Sequence, residues 1–333
     1  MIKKILKSKK STEKKELPSR ITNDTVAQHR EKVLAGGRKH KYPLQYTKHK
    51  LVWNTIFISV AGLILVSTLV WLQLYVWKDT SDLAYRITRV LPLPIAKIDG
   101  QSVPYSNYLL YHRSSIAALK VQGQDEIAAD KAAFLRQQAM DRALEVAYAN
   151  KIANERDIKV NDNQVDDFLK KQRESTSLTE SSWESAVRDH LGWSLSEQRQ
   201  AVRSALTVSA VAFSVDEPAS NSAKQVRDYI NKKKSLAEIA KSMKDKVQLV
   251  PDITVPKKNT DSIAAIAAKL KPGQISPSTK TLAGDGYYFI SLKSTNDNTL
   301  TYSYLKVPLT VFKQQLIQVK ESDKVAYYVD VKQ

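Results

Sequence analysis

Cysteine is absent from the 333 residues, which removes disulfides, thiolate nucleophiles and cysteine-based metal sites together. Histidine is scarce. His29, His40 and His49 crowd the N-terminal region, and His112 and His190 stand far apart in sequence. No histidine-based metal centre is expected from that spacing, and no Ser-His-Asp hydrolase set has much to build on. The nine glycines form no phosphate-cradling loop, so nucleotide binding of the P-loop or Rossmann kind has no support. The expectation is a chain without cofactor and without metal.

Long uncharged stretches are also missing, with one exception. Residues 55–72 carry no charged side chain and are almost wholly apolar. A bilayer core needs roughly 20 such residues, and Leu51, Val52, Leu74 and Val76 extend the run at both ends. Trp53, Trp71, Tyr75 and Trp77 sit near its ends, where amphipathic rings favour the headgroup layer. Residues 51–77 therefore read as a transmembrane helix. Mostly polar residues precede it, and Trp77-Lys78-Asp79-Thr80 offers no small-residue cleavage site, so an uncleaved signal anchor is expected.

The net charge of +18 is unevenly spread, and more than half of it lies before residue 51. Clustered Lys3, Lys4, Lys7, Lys9 and Lys10 favour a cytoplasmic N-terminus, which places the larger part outside the cell membrane. Residues 1–50 lack apolar periodicity and read as a disordered basic tail. Such a tail serves as a topology signal, and contact with anionic lipid is a second use for it. Nucleic acid is not expected as a partner.

Beyond the span, residues 78–94 read as a linker stiffened by Pro92 and Pro94. Alternation around Asp99-Gly100 predicts a hairpin, with Ser106 capping the helix that follows. Residues 126–157 carry a face of small apolar residues, Ala132, Leu135, Ala139, Ala143 and Ala147, and predict a long helix. Further helices are expected at 163–174, at 179–190 with Gly192 as its C-cap, and after Ser194. From about residue 208 the texture changes. Residues 208–213 read as a strand, 220–243 as one or two helices and 262–270 as another. Residues 286–292 read as a buried strand, 302–307 as a strand, 309–321 as a helix and 324–331 as extended.

Two stretches resemble exported folding factors of the SurA and PrsA type. Phe134 to Leu144, then Ile158-Lys159-Val160-Asn161-Asp162, is similar to that family's helical chaperone region. The hairpin at Ile98–Val103 resembles the one that opens the region. Leu191-Gly192-Trp193-Ser194 resembles the helix start that closes it. The second stretch resembles a parvulin-type (PpiC-like) prolyl isomerase. Ser235 to Lys241 looks like its first helix, Leu270-Lys271-Pro272-Gly273-Gln274-Ile275-Ser276-Pro277 like its characteristic turn, and Gly286 to Ile290 like its last strand.

The departures bear on chemistry. Active parvulins place histidines in their first and last strands, and no histidine follows His190 here. Tyr288 takes the last-strand position, Asp245 stands near the acidic position, and Ile263 falls where a large apolar residue lines the proline pocket. Rotamase activity must lower a barrier of about 18–20 kcal/mol. The resemblance, with these losses, implies a fold kept without efficient catalysis.

These readings predict an α+β protein with a single transmembrane helix, a mainly helical chaperone domain at 95–207 and a degenerate parvulin-like α/β domain at 208–297. The segment at 298–333 is expected to pack back on the helical domain. The expected function is a membrane-anchored, extracytoplasmic chaperone or foldase that binds unfolded or nascent exported polypeptides. Trp183, Trp193 and Ile263 are the candidate peptide-binding residues. Tyr288 and Asp245 are the candidate residues of an atypical isomerase, the second reading. A cell-envelope assembly scaffold is the third.

Overall fold

The computed structural model describes residues 22–41, 45–124, 126–176, 178–257, 261–280 and 284–331. The first 21 residues of the tail, with its lysine cluster, lie outside them. The chain is α+β and divides into two compact units, at 1–71 and 72–333.

In the first unit, helix α1 spans Asn23–Lys41 and helix α2 spans Gln45–Trp71. The helical α1 departs from the disordered tail that composition predicts. Among its described side chains none is buried. The apolar side chains of α2 are exposed from Leu51 to Leu69. Among the described residues one helical run, His49–Val76, is long and apolar enough to cross a membrane.

The second unit opens on a π-helical turn, Leu72–Val76. Leu74 is buried in this unit, and its carbonyl accepts a bond of 3.0 Å from the Tyr105 hydroxyl. The apolar run predicted as span to residue 77 therefore gives its last residues to the folded unit. The expected linker is also folded. Ser81 caps a helix α3 at Asp82–Val90, whose Ala84, Tyr85 and Thr88 are buried. Pro92 and Pro94 end that helix but do not prevent it.

Strands β1 (Pro94–Ile98) and β2 (Gln101–Pro104) form the predicted hairpin. Asp99 and Gly100 both have positive φ, 44° and 86°, as a tight turn of the primed type requires. Helix α4 (Tyr105–Val121) starts two residues earlier than expected, with Pro104 before it and no side-chain cap from Ser106. Helix α5 (Ala129–Glu155) packs its small-residue face on α4. Helices α6 (Asp162–Thr176), α7 (Glu180–Leu191) and α8 (Leu195–Val215) follow.

Residues 208–213 lie inside α8, not in a strand. Ala201, Val202, Val211 and Ala212 are buried along it, a helical repeat that runs through the β-branched stretch. Packing against α5 outweighs local β-propensity there.

Helices α9 (Glu217–Asn231) and α10 (Leu236–Met243) precede β3 (Gln248–Pro256), α11 (Ser262–Ala267), β4 (Thr279–Lys280), β5 (Gly286–Thr295) and β6 (Thr299–Pro308). The four strands make an antiparallel sheet in the order β3-β6-β5-β4. Strand alternation sends Phe289, Leu305 and Val307 to the α9–α10 side and Tyr288, Ile290 and Tyr302 to the α11 side. Each such burial stabilises the sheet by roughly 1.5–3 kcal/mol. A domain end at 297 would cut the β5–β6 hairpin, the central pair of this sheet.

Helix α12 (Val311–Glu321) and strand β7 (Val325–Tyr327) finish the chain. Strand β7 pairs antiparallel with β1, so a three-stranded sheet, β2-β1-β7, joins the two ends of this unit. The ring of Phe312 stacks on Tyr148 of α5, Lys320 pairs with Asp141, and Arg136 donates to the Val331 carbonyl.

Candidate functional site

Sharp local signals set the geometry of α6, α7 and α8. Asn161 and Gln164 cap α6 reciprocally, each side chain accepting at 2.9 Å from the other's backbone N–H. Thr179 caps α7, which ends at Gly192 with φ 64°. A Cβ at Gly192 would stand 3.1 Å from Ala117 Cβ, so glycine suits this position twice over. Ser194 and Glu197 then form a capping box for α8.

Glu197 is buried, and its carboxylate also faces Arg113 at 3.5 Å and Arg89 at 3.7 Å. Burial opposes its charge. Hydrogen bonds from Ser194 and Tyr85, with Arg113 beside them, outweigh burial and hold its carboxyl below the ordinary range. These groups fix where α8 meets α3 and α4.

Trp193 belongs to this anchor. Its indole Nε1 donates to the Leu110 carbonyl at 3.1 Å. Trp183 is placed differently. It is half-buried and lines a cavity of about 340 Å³ between α6, α7 and α8, with Leu169, Leu195 and the stems of Lys170 and Arg173. On the other side of α6, a cavity of about 300 Å³ is lined by Phe168, Ala205, Leu206, Leu309 and Phe312. Helix α6 thus separates two concavities and gives an apolar side chain to each.

Helix α6 buries few apolar side chains and is held largely by ion pairs to its neighbours, among them Arg173 with Glu180 of α7 at 3.3 Å. Val165 is its one fully buried side chain among those described, with Phe168 and Leu169 half-buried. Asp166 pairs with Arg199, and Asp162 with Arg203 and, at 3.7 Å, with Arg199. The bond from Arg199 holds the Asp166 carboxyl below its ordinary range, but these pairs are exposed and screened by solvent, so they contribute little to holding the helix.

A third cavity, of about 830 Å³, lies at the edge of the four-stranded sheet, lined by Leu236, Leu249, Pro251, Asp252, Ile275 and Lys293 among others. A bulge between Val250 and Ile253 shapes it, with Asp252 at φ 45°. Lys293 pairs with Asp252 at 2.6 Å, and Ser303 bonds both the backbone and the carboxylate of Asp252. Neither Asp252 nor Lys293 carries a sequence motif of its own. Pro251 within an otherwise strand-like stretch was the available signal, since proline in a sheet marks an edge or a bulge.

The two isomerase candidates lie apart. Tyr288 is buried on the α11 side of the sheet, and its hydroxyl donates to Asp285 at 2.9 Å. Lys306 pairs with the other oxygen of Asp285 at 2.5 Å. Burial and then the Asp285 bond raise the Tyr288 phenol above its ordinary value. Burial opposes the charge of Asp285, but bonds from Lys306 and Tyr288 keep it below the usual carboxylate range. Asp245 stands exposed in the turn after α10, beside Val307 and Pro308 on the opposite side. Ile263 packs on the cluster that contains Tyr288, and so serves as part of a core.

Among the described residues no group of three or more His, Asp or Glu side chains is arranged to hold a metal ion. No known protein-family profile matches this chain, and no curated protein matches it.

Proposed function

We propose that this protein is a membrane-anchored, extracytoplasmic chaperone of the SurA and PrsA type that holds unfolded segments of exported proteins. The apolar part of α2, ending at Trp71, is its anchor, with the N-terminus in the cytoplasm. Anchoring keeps the binding unit near emerging chains and raises its effective concentration there.

The observation that carries this reading is the seam under α6. A lightly held helix covers two concavities lined by Phe168, Leu169, Trp183, Leu195, Leu206 and Phe312. Moving α6 exposes apolar surface without disturbing the anchor at Glu197 and Trp193. Unfolded segments display apolar side chains, and such a surface meets them with little sequence preference. Polar groups around the Trp183 cavity, Lys170, Arg173, Glu180 and Glu184, suit weak and reversible contact with polypeptide.

Holding an unfolded chain requires no bond chemistry. The Tyr288 hydroxyl is committed to Asp285, and Asp245 lies on the other face of the sheet. The degenerate parvulin-like part then acts as a rigid support for α8 and α12.

The test is a light-scattering assay of a chemically denatured client diluted into the full chain held in nanodiscs. Suppressed aggregation at near-stoichiometric ratios is expected. A client that aggregates as fast as with empty nanodiscs would sink the reading.

A further inference from the structure

Helix α3 has two faces, and the packing of the folded unit uses only one. Ala84, Tyr85 and Thr88 are buried against the unit, with the Arg113 guanidinium 4.4 Å from the Tyr85 ring centre. The opposite stripe carries Leu83, Ile87 and Val90, spaced four and then three residues apart. Leu83 is 59% exposed and Val90 81% exposed, and Trp77 just before the helix is 66% exposed. A nine-residue helix with two branched apolar side chains this open, beside an open tryptophan, needs a cover.

Charge on this face is also one-sided. Arg86 lies within the stripe, and no ion pair is present for it among the described residues. Lys78 precedes the helix. The acidic groups nearby are engaged: Asp82 with Arg113 at 2.7 Å, and Asp79 with Gln73 and Ser81. Arg89 turns toward Glu197.

Chain continuity supplies the occupant. Only two residues, Leu72 and Gln73, separate Trp71, the last residue of α2, from the buried Leu74 of the folded unit. At about 3.3–3.6 Å per residue, Leu74 is held within about 11 Å of the end of the apolar helix. Given the reading of that helix as a span, we infer that the outer face of α3 rests in the headgroup layer of the same membrane. Leu83, Ile87, Val90 and Trp77 enter the interface there, and Arg86 and Lys78 meet anionic phospholipid phosphates. A short amphipathic helix with basic flanks lies in the interface plane, its apolar side roughly 5–10 Å deep.

The natural absence of cysteine makes the test direct. Single cysteines replace Leu83, Val90, Lys241 or Leu63 in the full chain, held in nanodiscs of phosphatidylglycerol and phosphatidylcholine. Each carries an environment-sensitive dye. Lys241, exposed on α10, reports water, and Leu63 reports the span. Blue-shifted emission at 83 and 90, quenched by lipid-borne spin label and shielded from iodide, is the expected result. Arg86→Glu should lower lipid quenching at 90, and an unaffected value there would overturn the anionic assignment. If Leu63 contacts lipid while 83 and 90 behave like 241, this inference alone fails. Shielding from iodide without lipid quenching would place a second protein copy on the stripe and overturn it too. If Leu63 itself is open to iodide like Lys241, the span reading fails and takes this inference with it.

Discussion

The carboxylate of Asp216 accepts a hydrogen bond of 2.6 Å from the backbone N–H of Thr310, which lies 94 residues further along the chain. The same oxygen accepts from Val311 at 3.0 Å, and the other oxygen caps α9 through Ala219 at 2.9 Å. Asp216 is 1% exposed. One buried side chain thus joins the α8–α9 corner to the start of α12, where the chain leaves the sheet and returns to the helices. Asp216→Ala should cost about 2–4 kcal/mol, from a lost cap and stranded buried donors. Asp216→Asn, which keeps an acceptor, should cost roughly half as much. Urea denaturation of the two variants checks the order.

The second expectation concerns acid. His112 is buried against the Tyr108 ring, and its Nδ1 has no partner among the described residues. Burial, with Arg136 nearby, pushes its pKa down to about 4. The unfolded chain therefore binds the proton first as pH falls. Stability should drop from about pH 6.5 to about pH 4, by up to about 3 kcal/mol, and this contribution should level off below that. His112→Leu should flatten the slope in that window. Chemical denaturation as a function of pH compares the two proteins, and equal slopes would remove His112 as the cause.

The two tryptophans should separate stability from binding. Trp193→Phe loses the bond to Leu110 and should destabilise by about 1–3 kcal/mol, while holding a client as well as the parent below its melting temperature. Trp183→Ala opens the cavity beside α6 and should weaken holding at little cost in stability. Thermal unfolding and client titration on both variants give the four numbers. Equal losses of holding would contradict the division.

Tyr288→Phe should cost about 0.5–1.5 kcal/mol through the lost bond to Asp285. It should leave client holding unchanged, and proline-peptide isomerisation should run at the uncatalysed rate with either protein. An acceleration by the parent that Tyr288→Phe abolishes would restore the enzyme reading.

What could be read in advance follows the range of the signals. Asp99-Gly100, Thr179, Gly192 and the Ser194–Glu197 box act within four residues, and each is legible because turn and cap chemistry is local. Residues 208–213 misled because β-branched side chains suit a strand locally, whereas the buried repeat that decides the matter begins at Ala201. Helix α3 was hidden by the prolines after it and by an outer face as apolar as its inner one. The pairing of β7 with β1 joins residues more than 200 apart and leaves no local mark. At the candidate site, Trp183 and Trp193 look alike as sequence. Only the Leu110 carbonyl, on a distant helix, tells anchor from lining.

Client chains are expected to bind where α6 moves. Cysteines at Asp166 and Arg199, which face each other across the α6–α8 seam, can be joined by a short bis-maleimide in the full chain, with no native thiol to interfere. Client titration before and after joining is the direct measurement. Holding that is strong in the open protein and largely lost in the joined one is the expected result. Equal holding in both would contradict the account.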